Sequence, residues 1–303
     1  MCITMAFEVH PSLKKSLLVN SHFVKLVESA DLLCCATATA AFHNSKERFD
    51  PPKCHPNTRL AVLTKIMKWI KWEEDLHAFI MWVYGAAGAG KSAIAQTIAE
   101  MCEQEMILLA SFFFSKNDPS RNNVDSLIAI LAYQITLNLP HVQDAILAAI
   151  DHDPLIFSKS LAVQVESLIM APLLPLAEAG FFNDPSSHRL VIIDGLDECS
   201  DRKVQQNILE VLANVHQPLV FLFASRPEQH ISLTFNTGLL FSVTSHLALD
   251  DSYLPDKDIE LFLTDKFQDI KATHRLHAYI PPQWPLPDVL KQLVRKSSGQ
   301  FIY

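Results

Sequence analysis

The sequence predicts an α/β fold, a three-layer sandwich in which a parallel sheet is covered by helices on both faces, and three observations predict it. Apolar runs of strand length alternate along the chain with segments whose apolar residues recur at helical spacing. The strand-like runs before Asp194 and Ser225 are continuously apolar, as expected of strands buried on both faces. One strand-to-helix junction carries the run Gly85-Ala86-Ala87-Gly88-Ala89-Gly90-Lys91-Ser92, which fits the phosphate-binding pattern G-x-x-x-x-G-K-[ST] in the context that pattern requires.

Taken in order, residues 1–50 read as a variable extension in which Leu17, Leu18, Phe23, Leu26 and Val27 line a helix. Pro51, Pro52 and Pro56 then mark an extended linker. Leu63, Ile66, Met67 and Ile70 fall at i, i+3, i+4 and i+7, which predicts an amphipathic helix and completes a 51–76 linker-and-helix segment. The core spans 77–250. Strand one is expected over 78–84, followed by a helix over 92–104 that turns Ile94, Ile98 and Met101 inward, and by strand two over 106–114. Val124, Leu127, Ile128, Leu131, Ile135 and Leu139 trace the next helix, with Asn123 as its expected cap. Helices over 141–151 and 161–178 lead to strand three at 190–194. A helix carrying Val204, Ile208, Val211 and Val215 separates it from strand four at 219–225, and strand five is placed near 240–249. Helices near 256–271 and 287–297 form a last segment, 251–303.

The glycine-rich run answers a chemical need. The chain has only 7 glycines, and Gly85, Gly88 and Gly90 are three of them. Glycines let the backbone curl so that the amides from Ala86 to Ala93, aided by the positive helix end, point at an anion. Lys91 then reaches the β- and γ-phosphates of a nucleoside triphosphate, and the Ser92 hydroxyl is a ligand for Mg²⁺. Gly88, Gly90 and Ala93 also fit a loosened dinucleotide fingerprint. That reading wants an acidic residue closing the next strand, where this chain has Phe112-Phe113-Phe114-Ser115-Lys116.

Two further strands end in polar groups. Arg189-Leu190-Val191-Ile192-Ile193-Asp194-Gly195-Leu196-Asp197-Glu198 delivers Asp194 at a strand's C-terminal end, a Walker B arrangement in which Asp194 serves the magnesium ion opposite Ser92. Asp197 and Glu198 are placed to orient or deprotonate an attacking water; spacing does not separate them, and Asp197 is the preferred base. Leu219-Val220-Phe221-Leu222-Phe223-Ala224-Ser225-Arg226-Pro227-Glu228 should bring Ser225 and Arg226 to the same crevice. There Arg226 either senses the γ-phosphate or pairs with a surface carboxylate such as Glu228.

Together, Gly85–Ser92, Asp194-Gly195-Leu196-Asp197-Glu198 and Ala224-Ser225-Arg226-Pro227-Glu228 resemble the NACHT class of STAND P-loop NTPases, in particular the nephrocystin-like N-terminal domain of fungal type. Phe49–Arg59, Ser111–Ser115, Asp153–Phe157 and Ser298–Tyr303 look like the same subgroup, and the resemblance covers about residues 42–303. It implies ATP or GTP binding, Mg²⁺ dependence, a strand order of 5-1-4-3-2 and a nucleotide-controlled switch that drives self-association. It also implies that residues 52–59 help hold the base. The linker often reads Gly-Thr-Arg where this chain has Asn57-Thr58-Arg59, a mild change because asparagine tolerates the left-handed conformation. The family's helical and winged-helix lid follows the position of Tyr303, so the expectation is that no closing lid lies within these residues.

Composition narrows the function classes. At 303 residues and 49% hydrophobic, the chain can bury a substantial core. A net charge of −8 and a pI near 5.9 argue against a general electrostatic hold on nucleic acid or anionic membrane. No uncharged apolar stretch approaches a span of about 20 residues, the N-terminus does not read as a secretory signal, and the six cysteines form no C-x-x-C pair. The expectation is a cytoplasmic nucleotide-binding protein that is either a slow NTPase switch or an interaction scaffold with negligible hydrolysis. A small-molecule P-loop kinase is disfavoured, since no acceptor pocket or lid arginine cluster is evident.

Overall fold

The computed structural model describes residues 25–48, 50–215, 219–250, 253 and 255–301. Five parallel strands, β1 (Ile80–Tyr84), β2 (Leu108–Phe113), β3 (Leu190–Asp194), β4 (Val220–Ser225) and β5 (Thr244–Ala248), form one sheet in the order β2-β3-β4-β1-β5. Read from its other edge this is 5-1-4-3-2, the expected order. Every residue of β2, β3 and β4 is buried, because side chains alternate between two apolar layers. Trp82, Val191, Ile193, Phe221 and Phe223 point to one, while Met81, Val83, Ile192 and Leu222 point to the other.

Helices α2 (Leu60–Ile70) and α3 (Lys91–Gln104) cover the second layer through Val62, Ile66 and Ile70 and through Ile94, Ile98 and Cys102. The other face is covered by a helix over 25–35 (α1) and by α4 (Leu127–Asn138), α5 (Gln143–His152), α6 (Leu161–Val165), α7 (Ala171–Glu178), α8 (Arg202–Ala213), α9 (Gln229–Phe235) and α10 (Gly238–Val243). A π turn, Glu166–Met170, joins α6 to α7. The resulting run, Leu161–Glu178, coincides with the helix expected over 161–178 and is long and apolar enough by composition to cross a bilayer, although it carries Glu166 and Glu178. It packs into the core through Leu161, Val165, Leu168, Ile169 and Leu173. Two last helices, α11 (Pro255–Thr273) and α12 (Pro287–Ser297), pack on each other beyond the sheet.

Three local expectations fail for identifiable reasons. The apolar run at 240–249 is split: α10 buries Leu240 and leaves Phe241 exposed, so β5 is the short edge strand Thr244–Ala248. Asn123 does not cap α4; its Oδ1 takes the Asp125 N–H in a local turn, and the helix begins at Leu127. Helix α9 was not anticipated in the polar stretch after β4, although Ile231 and Phe235 anchor it in the core. Leu17, Leu18, Phe23 and Phe49 lie outside the described residues, whereas Leu33, Ala38 and Ala41 are built into the core.

The β2 edge is sealed from within. The Gln134 carboxamide of α4 accepts the Ser111 N–H at 3.0 Å and donates to the Ser111 carbonyl at 2.8 Å, the pair of bonds a sixth strand would make. Asn138 donates to the Leu109 carbonyl at 2.8 Å one turn on.

Candidate functional site

Strand register brings the motifs together. Tyr84 of β1 pairs with Ser225 of β4, and Asp194 of β3 pairs with Ala224, so the loop after β1, the turn after β3 and the residues after β4 leave the sheet at one level. Gly85 makes the exit possible, since a Cβ there would stand 3.1 Å from the Leu249 Cβ and 3.2 Å from that of Ala89. Gly88 and Gly90 are left-handed, at φ 77° and 89°, and Gly90 is the residue from which α3 starts. Ala87, Gly88, Gly90, Lys91, Ser92 and Ala93 line a cavity of about 480 Å³, which they share with Asp194, Asp197, Glu198 and Arg226. Gly85, Ala86 and Ala89 shape the loop behind it. The Lys91 ammonium donates to the carbonyls of Gly85 and Ala86, both at 2.9 Å. Burial lowers its pKa, opposed by the charges of Asp197 and Asp194.

Asp194 is the electrostatic centre of the site. It is 4% exposed, its Oδ1 has no hydrogen-bond partner, and burial pushes its pKa up to about 6. A hydrogen bond from Ser92 and the charge of Arg48 oppose that rise. The Asp197 carboxylate accepts the Arg226 backbone N–H at 2.9 Å and lies 3.3 Å from its Nε, so the surface partner of Arg226 is Asp197 and not Glu228. Glu198 accepts the Lys116 N–H at 2.9 Å. Behind this turn, Gln205 of α8 donates to the carbonyls of Cys199 at 2.6 Å and Asp197 at 3.4 Å. Ser225, expected at the crevice, is fully buried instead: its hydroxyl accepts from Trp82 Nε1 at 2.9 Å and donates to the Arg226 carbonyl at 3.0 Å.

The opposite wall comes from residues far away in sequence. Pro52, Lys53, Cys54, His55, Thr58 and Arg59 of the linker line it, with Phe262 of α11 and Phe301. Residues after 255 therefore supply part of this wall. Asn57 and Arg59 are left-handed, at φ 64° and 56°. Arg59 is 5% exposed; its Nη2 donates to the Ala89 carbonyl at 3.0 Å, while Nε and Nη1 have no partner. The His55 ring lies 2.8 Å from the Asp265 carboxylate and meets Phe262 edge-on.

Arg48 was also missed. It stacks on Phe113, the register partner of Asp194, and donates to Gln96 of α3 at 2.8 Å. Burial drops its pKa to about 10. No local spacing marks Arg48, Phe262 or Phe301, since each reaches the site through long-range contacts.

A five-stranded parallel sheet between helical layers, with a glycine-rich loop after β1 and a carboxylate at the end of β3, defines the P-loop NTPase type of α/β protein. The model of the nephrocystin 3 N-terminal family matches residues 61–226, more than half of the chain, and the chain belongs to that family. Among solved structures it is similar to a chain in the structure of Drosophila ORC bound to GC-rich DNA and Cdc6, at 9% identity and a TM-score of 0.38. That match covers 90% of this chain and 42% of the other, so this chain spans about two fifths of its neighbour's length. No curated protein matches the chain.

Proposed function

We propose that this chain is a NACHT-class signalling NTPase of the STAND type, which binds ATP or GTP with Mg²⁺ and acts as a conformational and self-association switch with slow hydrolysis. The observation that carries the reading is convergence: loop, metal carboxylate, acidic turn and Arg226 line one cavity. Backbone amides of Gly85–Ala93 and the Lys91 ammonium bind the phosphates. The residues fit a magnesium ion, because a buried carboxylate oxygen without a partner sits on the same side chain that receives the Ser92 hydroxyl. Ser92 and Asp194 would hold the ion, whose chemistry is to neutralise phosphate charge.

The Asp197–Arg226 pairing supports a division of labour. Asp197 positions the arginine toward the γ-phosphate, which leaves Glu198 as the carboxylate that orients or deprotonates water and shifts the base away from Asp197. Linker residues 52–59 hold the base, a role supported by the free N–H groups of Arg59 in the cavity wall. The setting we propose is cytoplasmic, with self-association or partner proteins as the output and neither nucleic acid nor membrane as a ligand.

The test is titration of the pure chain with labelled ATP and GTP, with and without Mg²⁺, followed by phosphate release. The expected result is Mg-dependent binding and turnover well below about 10 s⁻¹, rising with protein concentration. Binding with no release favours the scaffold reading, and binding of neither nucleotide overturns both.

A further inference from the structure

Helix α12 ends in a left-handed turn, Ser298 at φ 49° and Gly299 at φ 76°, closed by the Gln300 N–H on the Ser297 carbonyl at 2.9 Å. The turn directs the next residue back to the phosphate loop, where the Phe301 N–H donates to the Gly88 carbonyl at 3.0 Å. The Phe301 ring lies 4.9 Å from the Arg59 guanidinium and 6.3 Å from the Phe262 ring. Arg59 is a junction of its own: its backbone N–H donates to Asp258 of α11 at 2.9 Å, its Nη2 to Ala89, and its Nε and Nη1 remain buried and unpartnered in the cavity wall.

We propose that residues 298–301 form a strap that holds a nucleoside triphosphate in the cavity, with Arg59 coupling occupancy to strap docking; the inference rests on the nucleotide reading above. Two features of the geometry carry it. In a trans peptide the carbonyl and the following N–H point in opposite directions. Holding the Gly88 carbonyl outward against Phe301 therefore turns the Ala89 N–H into the loop, where it donates to the Ala86 carbonyl at 3.3 Å. The strap thus fixes one peptide of the phosphate cradle. Second, a ligand acceptor that satisfies the free N–H groups of Arg59 fixes a guanidinium already bonded to Ala89 and faced by the Phe301 ring. Stabilising either contact stabilises the other, and linkage makes the effect reciprocal: ligand favours the docked strap, and the docked strap tightens ligand binding. Because the strap must undock for the ligand to leave, the gain is expected in the dissociation rate.

The experiment uses the full chain and a fluorescent triphosphate, ATP or GTP according to which binds, chased with excess unlabelled nucleotide. Phe301→Ala is expected to raise the dissociation rate about tenfold through loss of the ring contacts, and Phe301→Tyr, which keeps the ring, to restore the original rate. In the unmodified protein, hydrogen exchange at the Phe301 amide should slow when Mg-nucleotide is added. An unchanged dissociation rate in a Phe301→Ala variant that still binds nucleotide would overturn the strap and leave the nucleotide site standing. Unchanged exchange at Phe301 on nucleotide addition would do the same without any mutation. If the unmodified chain binds no triphosphate, the strap and the nucleotide reading fall together.

Discussion

The glycine-loop side of the cavity hangs on three neighbouring strands, whereas its opposite wall is assembled from a linker, one helix and a turn that belong to no common sheet. On the first side, the ladder that pairs β1, β3 and β4 sets where Lys91, Asp194 and Arg226 begin, and buried braces such as Gln205 and Trp82 hold the turns. On the second, position depends on single contacts at the rim: the His55 ring with the Asp265 carboxylate, the Arg59 backbone N–H with Asp258, and the Phe301 backbone N–H with the Gly88 carbonyl. Removing a side chain from the strand-borne side should therefore abolish chemistry and leave the frame intact. Removing one from the opposite wall should loosen the frame and leave chemistry in place.

The largest expected effect is at the loop. Lys91→Ala should reduce nucleotide affinity by a hundredfold or more with an unchanged circular dichroism spectrum, because Lys91 is bonded only to loop carbonyls and supports no core packing. Calorimetry that returned the original affinity would break the comparison at its strongest point. Next come the two acidic residues. Glu198→Gln should cut phosphate release about a hundredfold with binding nearly intact, the scale of general acid–base catalysis. Asp197→Asn should act through Arg226 and also cost affinity; equal turnover in all three proteins would remove the acidic turn from catalysis.

Asp194 gives a pH-dependent test. Its folded pKa is raised, so between its usual 3.8 and about 6 the folded state holds a proton that the unfolded chain has released, and stability falls as pH rises through that window. Above it the penalty is at its full size, about 3 kcal/mol as an upper estimate. Asp194→Asn should therefore raise the thermal midpoint at pH 7.5 in the absence of nucleotide, leave it nearly unchanged at pH 4, and abolish the Mg²⁺ dependence of binding. Equal midpoint shifts at the two pH values would show that burial of the charge is not the cause. The smallest effect belongs to the opposite wall: His55→Ala removes two contacts at the rim, with Asp265 and Phe262, and should weaken nucleotide binding no more than about fivefold. A loss as large as that of Lys91→Ala would show that the two sides are equally rigid.

What was legible in the sequence follows the same division. Strands buried on both faces are apolar over most of their length, so β1 to β4 could be placed within two residues. The turns they feed carry glycine, lysine and carboxylate at spacings fixed by backbone geometry. Sheet order came from the family resemblance and not from any local signal. Of the opposite wall, the linker 52–59 was expected from the resemblance, but its partners were hidden because they lie far apart in the chain: His55 meets Asp265 and Arg59 meets Asp258 across about two hundred residues. Arg48 falls within the variable 1–50 extension, and nothing near it announces that its guanidinium stacks on Phe113. The split of 240–249 into α10 and β5 was equally unreadable, because an apolar run of that length satisfies a helix and a strand alike.

One consequence of Gln134 concerns the company the sheet can keep. A parallel sheet ordinarily offers its outermost strand to any extended segment that finds it, whether from a neighbour or from a misfolded copy. At β2 that offer is answered in advance by a side chain imitating a strand, anchored on a helix whose other contacts lie deep in the core. An intruder at this rim would have to displace an amide already at hydrogen-bonding distance and then find room beside α4. Gln134→Leu would remove the imitation while keeping the bulk, turning a sealed border into one that recruits, and the first sign would be growth in particle size under conditions where the original chain stays unchanged.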